Sequence, residues 1–430
     1  MNLKAPFIWI ALMFFPLIAE AQHPEAAPDP AQGSARKHLE KLEIPFTAER
    51  FIEEVRRGDT EKVTLFLDAG MSPNTQGAGG RTALVWAGGN GHAALVKVLL
   101  QGGADLCGAG SQHPLLWTAA NGRREAAAVL LGAGARACEK EKTRMTAAVA
   151  AAQNGHAETL ELFLEETTDV TEGEKNFALE RAAANGHLDV IRMLLDHGAA
   201  FNAKTPAQFN PLGSAAFRGH IEIVRFLLEK GADPNGPVEV YRTVLGAAAG
   251  GGHLKVAQLL MEKGAKADAA ALRAAAGAGH VELARLMLDK GVDVNAGDGD
   301  KTPLVAAITG RRTAVLPLLI ERGADLNDGG GFEPPLLLAA QASEAEMVRL
   351  LLKGGAKPDR LGDDGRTSLM WAAVSGHVET TQSLLQGGAD VRLKDEMGRT
   401  ALAYAKERGH TAVLQLLMKA EKEPARPKEK

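Results

Sequence analysis

The chain has 430 residues, a net charge of -4, 45% apolar residues and 24% charged residues. That balance belongs to a folded chain and excludes a broad positive field for nucleic acid or anionic lipid. Two cysteines exclude a disulfide-dense scaffold and a zinc cluster.

Residues 1–21 come first. Met1 to Lys4 carries one positive charge. "PFIWIALMFFPLI" (6–18) is apolar, and Ala19-Glu20-Ala21 follows. This is the layout of a secretory signal peptide, with cleavage expected after Ala21. The apolar run is short for a membrane span; an uncleaved anchor is the alternative. Either form places the body outside the cytoplasm, periplasmic or secreted, with no membrane contact beyond the export signal. Residues 22–44 open with "QHPEAAPDPAQGS" and are expected to be a flexible linker. Residues 45–420 carry a repeat array. Residues 421–430, "EKEPARPKEK", read as a charged tail.

The repeat is marked by glycines: Gly58, Gly91, Gly122, Gly155, Gly186, Gly219, Gly252, Gly279, Gly310, Gly376 and Gly409, with Ser343 in the remaining place. The basic step is 33 residues, giving twelve copies. An Ala-rich segment precedes each glycine, as in "LWTAANG" and "LERAAANG". An amphipathic one follows, as in "HIEIVRFLLEKGAD", with apolar residues at helical spacing. A glycine such as Gly231 or Gly291 then stops the helix. Each unit is helix, tight turn, helix and loop.

This grammar resembles the ankyrin repeat, through its period, its "GH" turn, its "LLxxGAD" ending and its Thr-Pro-Leu opening at Thr302-Pro303-Leu304. The resemblance implies an all-α fold, an ankyrin-repeat solenoid of about twelve helix-turn-helix units with hairpin loops. It also implies a concave groove lined by the first helices and the loops. The His that follows the opening Leu in the family is never kept, so a weaker turn-bonding network is expected.

Glycine-rich stretches such as "WAGGNGH" have neither the Walker spacing nor a preceding strand, so they read as repeat turns and not as phosphate loops. Eight histidines share one slot: His92, His156, His187, His220, His253, His280, His377 and His410, with Arg123, Arg311 and Glu344 there in other units. Successive units are too far apart to share a metal ion. A helix-entry residue bonding a neighbouring turn is the preferred reading. No catalytic signature is present, and a non-enzymatic chain with no cofactor and no metal is expected.

Cys107 and Cys138 share a loop slot in adjacent units. Export favours a bond between them, whereas the spacing of equivalent hairpin residues opposes it unless the loop bends. Trp86, Trp117 and Trp371 lie five residues before the repeat glycine, and Tyr404 occupies the same slot. By resemblance this slot faces the groove. The four are the candidate partner-binding residues, because such aromatics serve as hot spots; packed core is the competing reading. The middle units place Ala247, Ala274, Gly250 and Gly251 there or nearby, and the 27-residue step from Gly252 to Gly279 predicts a shortened loop beside a shallow, smooth stretch. The expected function is a monomeric protein–protein interaction scaffold in the bacterial envelope. Resemblance to exported bacterial ankyrin proteins also points to periplasmic stress defence, such as support of a catalase. Carbohydrate or peptidoglycan binding by the tryptophans, or a secreted effector, are the alternatives.

Overall fold

The computed structural model describes residues 30–107, 113–135, 145–166, 170–202, 210–297 and 301–423. The expected signal peptide, Cys138 and the end of the tail lie outside the described residues. The described residues form two compact bodies, one within 30–87 with 94–105 and the other within 88–93 with 106–423.

The helices begin where the opening motif puts a capping side chain. Thr302 Oγ1 accepts from the Val305 N–H at 3.2 Å, and Thr367 Oγ1 accepts from Met370 at 3.3 Å. Asn210 Oδ1 accepts from Gly213 at 2.6 Å. Each satisfies one of the amides that a helix start leaves unpaired. Pro211 and Pro303 follow at the first helical position, where a missing N–H costs nothing. The Thr of the motif is therefore a helix cap, and it survives where the following Pro and His do not.

In the first body, helices Ala48–Arg57 and Thr60–Asp68 make the first pair. A further helix, Pro30–Lys41, packs on Thr60–Asp68. Over 30–41 a helix thus stands where a flexible linker is expected, and residues 22–29 of that expectation lie outside the described residues. Leu39 and Ala35 are buried, Arg36 Nε donates to the Ala69 carbonyl at 3.0 Å, and the Arg36 guanidinium lies 4.8 Å from the Phe46 ring. The helix thus covers the outer side of the first pair.

In the second body each Ala-rich first helix packs on the next. The row runs from Pro114–Ala120 through Ala147–Gln153, Glu172–Asn185, Pro211–Arg218, Val244–Gly251, Ala269–Ala278, Pro303–Thr309, Pro335–Gln341 and Ser368–Ser375 to Ala401–Glu407. Alanine makes the close approach possible: Ala147 to Ala152 are all buried. The amphipathic second helices flank this row and bury their apolar stripe, as Ile223, Val224, Phe226 and Leu227 do. The last helix runs from Thr411 to Lys422, so the expected tail begins later than residue 421. Arg392 Nη2 ties this helix end down by donating to the Glu421 and Glu423 carbonyls.

Loops between units form short hairpins. Strands Pro237–Val238 and Arg242–Thr243 pair antiparallel, and single bridges join Gln76 to Thr82 and Leu361 to Thr367. Between helices Leu254–Glu262 and Ala269–Ala278 the connection is short, and Asp268 caps the second of them directly.

The "GH" pair is a two-unit lock. Gly122 has φ +66°, and a Cβ there would lie 2.5 Å from Nδ1 of His156 in the next unit. His156 Nε2 donates to the Ala120 carbonyl at 3.1 Å. His187, His220 and His410 donate in the same way to Gln153, Ala184 and Val374. A carbonyl only accepts, so Nε2 carries the proton. Arg123 and Arg312 replace the imidazole with Nε donors to Gly89 and Gly277. One register correction follows. In the ninth unit the left-handed residue is Arg311 (φ 56°) and not Gly310, so Arg312, and not Arg311, fills the His slot.

Candidate functional site

The first helices and the hairpins carry the aromatic residues that the sequence singles out. Trp86 is half-buried. The Arg56 guanidinium lies 4.6 Å from its ring centre and that of Arg81 5.1 Å, within cation–π range. Its indole N–H is buried without a hydrogen-bond acceptor among the described residues. Trp117 is also half-buried, in the second body. Trp371 repeats the Trp86 arrangement, with Arg366 5.2 Å from its ring. All three rings are half-buried, with their indole nitrogens buried.

Tyr404 differs. It is 4% exposed, which favours the packed-core reading at this one of the four candidate residues. Its hydroxyl donates to Asp395 Oδ2 and accepts from Arg366 Nε at 2.9 Å. The Arg366 and Arg399 guanidiniums lie 4.9 and 4.5 Å from its ring. Asp395 accepts additionally from the Arg399 and Met397 amides and from Arg399 Nε. The Tyr404 hydroxyl bond, then the amides and the Arg399 charge, hold the Asp395 carboxyl down at about 2. Burial pushes the Tyr404 phenol up. This cluster anchors the last hairpin to the last pair of helices and leaves Trp371 and Arg366 as its accessible side.

A spacing signal for these couples lies in the sequence. Arg81, Arg366 and Arg399 each precede an aromatic by five residues: Trp86, Trp371 and Tyr404. The hairpin delivers the arginine and the first helix delivers the ring, so they meet.

The middle of the second body is not the smooth stretch expected. Tyr241, from the hairpin, stacks on Phe217 with ring centres 5.4 Å apart and planes at 28°. A Cβ on Gly250 would lie 2.4 Å from Tyr241 Cε1, and one on Gly251 2.1 Å from the Phe217 carbonyl oxygen. Gly250 therefore makes room for the Tyr241 ring, and Gly251 for the backbone of the preceding unit at Phe217. Both rings escaped the slot argument because Tyr241 is outside a helix and Phe217 is three residues beyond the slot.

Glu180 is 3% exposed. It accepts from Ser214 Oγ at 2.5 Å, across two first helices, while its Oε2 has no hydrogen-bond partner among the described residues. Burial pushes its carboxyl above the usual range. Cys107 is disulfide-bonded; its expected partner, Cys138, lies outside the described residues. Among the described residues no group of His, Cys, Asp and Glu could hold a metal ion, and no helix is long and apolar enough to cross a membrane.

A family model for ankyrin repeats (three copies) matches residues 51–141, 115–205, 148–238, 202–271, 245–329 and 336–428. Among solved structures, the crystal structure of the human ASB11 ankyrin repeat domain is 31% identical, covering 49% of this chain and 98% of that one, with a TM-score of 0.44. No curated protein matches the chain.

Proposed function

The chain belongs to the ankyrin-repeat family, and from that premise we propose that it is a non-enzymatic protein–protein interaction scaffold of the bacterial cell envelope. Ankyrin repeats generally mediate protein–protein interaction. The observation that carries the reading is the pairing of half-buried indoles with guanidiniums at Trp86 and Trp371. A guanidinium over the ring fixes the indole, so the couple meets a partner as one preorganised unit at small entropic cost, and Trp and Arg dominate interface energetics. The same arginines stand over the rings where a sugar would stack, which favours a protein partner over peptidoglycan. The envelope assignment is supported by the sequence of residues 1–21 and by the disulfide at Cys107, a state that an oxidising compartment maintains.

The test is the double substitution Trp86→Ala and Trp371→Ala. Circular dichroism should retain the helical signal. Affinity for the partner identified by crosslinking in the native cell should fall by about tenfold or more, the scale of hot-spot losses. A folded variant with unchanged affinity overturns the role of these rings. N-terminal sequencing of the mature chain should begin at Gln22; recovery of the intact chain from cytoplasm would overturn the location.

A further inference from the structure

Arginines and rings alternate at the end of the second body. Arg399 lies 4.5 Å from the Tyr404 ring, and Arg366 lies 4.9 Å from Tyr404 and 5.2 Å from Trp371. Arg366 therefore serves two units: Trp371 in its own, and Tyr404 in the next, where its Nε donates to a hydroxyl 38 residues on. At Trp86 two guanidiniums attend the indole, Arg56 and Arg81. At Trp371, among the described residues, one does. Arg366 and Arg399 each immediately precede a helix cap, Thr367 and Thr400. In unit ten the residue before the cap Pro334 is Glu333. It precedes Trp371 by the same 38 residues that separate Arg366 from Tyr404. By repeat position Glu333 stands to Trp371 as Arg366 stands to Tyr404, with the opposite charge. Its contacts agree. Half-buried, it reaches the next hairpin, where Oε2 accepts from the Asp363 amide at 3.2 Å and a Cβ on Gly362 would lie 2.5 Å from it. The adjoining Asp364 holds Arg366 Nη1 at 3.6 Å.

Helices Pro335–Gln341 and Ser368–Ser375 carry no charged residue. Loop 324–334 has Asp325, Asp328 and Glu333 and no lysine or arginine. Loop 357–367 sets Asp359, Asp363 and Asp364 against Lys357, Arg360 and Arg366, of which Arg366 is committed to Tyr404. Loop 390–400 is balanced. Its Glu396 lies over the neighbouring turn, since a Cβ on Gly365 would be 2.9 Å from Glu396 Cγ. Lys301, from the loop before, lies 5.9 Å from the Phe332 ring and donates to Thr309 Oγ1 at 3.4 Å. The balance over the three loops is acidic, and the carboxylates of all three meet at the hairpin of unit eleven. Burial, with the Asp363 and Asp364 charges, pushes the Glu333 carboxyl up, against the Asp363 amide that holds it down. Phe332 and Leu361, on the same loops, are exposed.

We propose that units ten and eleven bind a basic peptide segment of a protein partner, one lysine or arginine of which stacks on the Trp371 ring and pairs with Glu333. The partner's cation then completes the alternation of cations and rings that the chain's own arginines begin. This rests on the protein-interaction reading and names the chemistry of the partner at one of its two indoles. A cation within about 6 Å of an indole centre is attracted to the ring face. A guanidinium or ammonium on a carboxylate makes a charge-assisted hydrogen bond. The aliphatic stem of such a side chain covers apolar surface while its head is charged, which suits the exposed Phe332 and Leu361.

The probe is a fluorescent twelve-residue peptide, three copies of Arg-Leu-Ser-Lys, titrated with the full chain and read by anisotropy. The same peptide with Glu for both basic residues, and with Ser for both, are the comparisons. The basic peptide should bind, the other two should not, and added salt should weaken binding. Glu333→Arg supplies the missing cation from the chain's own hairpin, as Arg366 does at Tyr404, and should abolish binding. Trp371→Ala should weaken it several-fold. Should Glu333→Arg disturb the fold, Glu333→Gln carries the test, with the melting curve as control and an expected loss of about tenfold, the scale of a hydrogen bond to a charged group. A folded Glu333→Gln chain that binds the basic peptide as before overturns the proposal. Equal binding of the serine peptide also overturns it, by making this an apolar surface, as does equal binding of the acidic one. Failure here with Trp371-dependent affinity for the native partner intact would overturn the partner chemistry and leave the scaffold reading standing.

Discussion

Glu180 and Asp395 are two buried carboxyls with opposite consequences. Glu180 sits where other first helices place Val85, Val149 or Met370, in an apolar layer with one oxygen bonded to Ser214. Burial raises its folded-state proton affinity, so its favourable contribution is present below the unfolded carboxylate range and is lost as pH rises through the raised value. Glu180→Gln should therefore raise the melting temperature at pH 7, and the gain should shrink below about pH 4, where the unfolded carboxyl is protonated too. Scanning calorimetry of both chains at the two pH values decides; an equal gain at both would refute it. Asp395, held at about 2, acts in the reverse sense. Its contribution is present above the unfolded range and is lost as pH falls from about 4 towards 2. Neither role was legible in the sequence, which marks neither carboxylate as buried. Burial is set by the neighbouring unit in one case and by the Tyr404 hydroxyl in the other. The tryptophan slot was legible by position; Arg81 and Arg366 carry a five-residue spacing that the slot argument did not use, and Arg56 reaches Trp86 from helix Ala48–Arg57.

At the scale of the element, the ninth turn tests the glycine logic. Arg311 adopts φ 56°, a conformation that costs an L-residue about 1 kcal/mol relative to glycine. Its exposed pair with Glu344, at 3.6 Å, offsets little of this. Arg311→Gly should stabilise the chain by about 1 kcal/mol, read as a shift in the urea midpoint. Gly310→Ala should destabilise it, because the new Cβ would fall 2.3 Å from the Gly277 carbonyl oxygen. Stabilisation by the second and none by the first would show the turn placed wrongly. The same pair shows why the sequence reading slipped by one residue. A glycine can be kept for close approach as well as for positive φ, and "TGRR" holds one of each demand at adjacent positions. The regular helix pairs were legible, since their Ala-rich and amphipathic patterns are local. The helix Pro30–Lys41 was not. Its first residues, Pro-Ala-Gln-Gly-Ser, have linker composition, and an isolated helix of that length is marginal. Packing on Thr60–Asp68 stabilises it, and that contact is invisible in its own sequence.

At the scale of the molecule, bonds between units are short-range. The Asn of one loop reaches the next loop: Asn295 Nδ2 donates to the Gly323 carbonyl at 3.2 Å, and its Oδ1 accepts from the Asp325 amide at 2.8 Å. Asn235 does the same to Gly264 and Lys266, and Asn327 accepts from Lys357. The histidine locks likewise join neighbours alone. Within the second body, stability is then a sum of unit terms and nearest-neighbour terms. A lost stitch should loosen its two units and leave distant ones protected. Asn295→Ala should raise amide hydrogen exchange over residues 316–327 by about tenfold, equivalent to one or two net hydrogen bonds, with residues 179–195 unchanged. A uniform rise across the second body would show that it opens as one cooperative block. The local outcome has a corollary: the Glu180–Ser214 pair and the Trp371–Arg366 couple can be altered independently, because among the described residues no bond of the stitching type links units five and six to unit eleven directly.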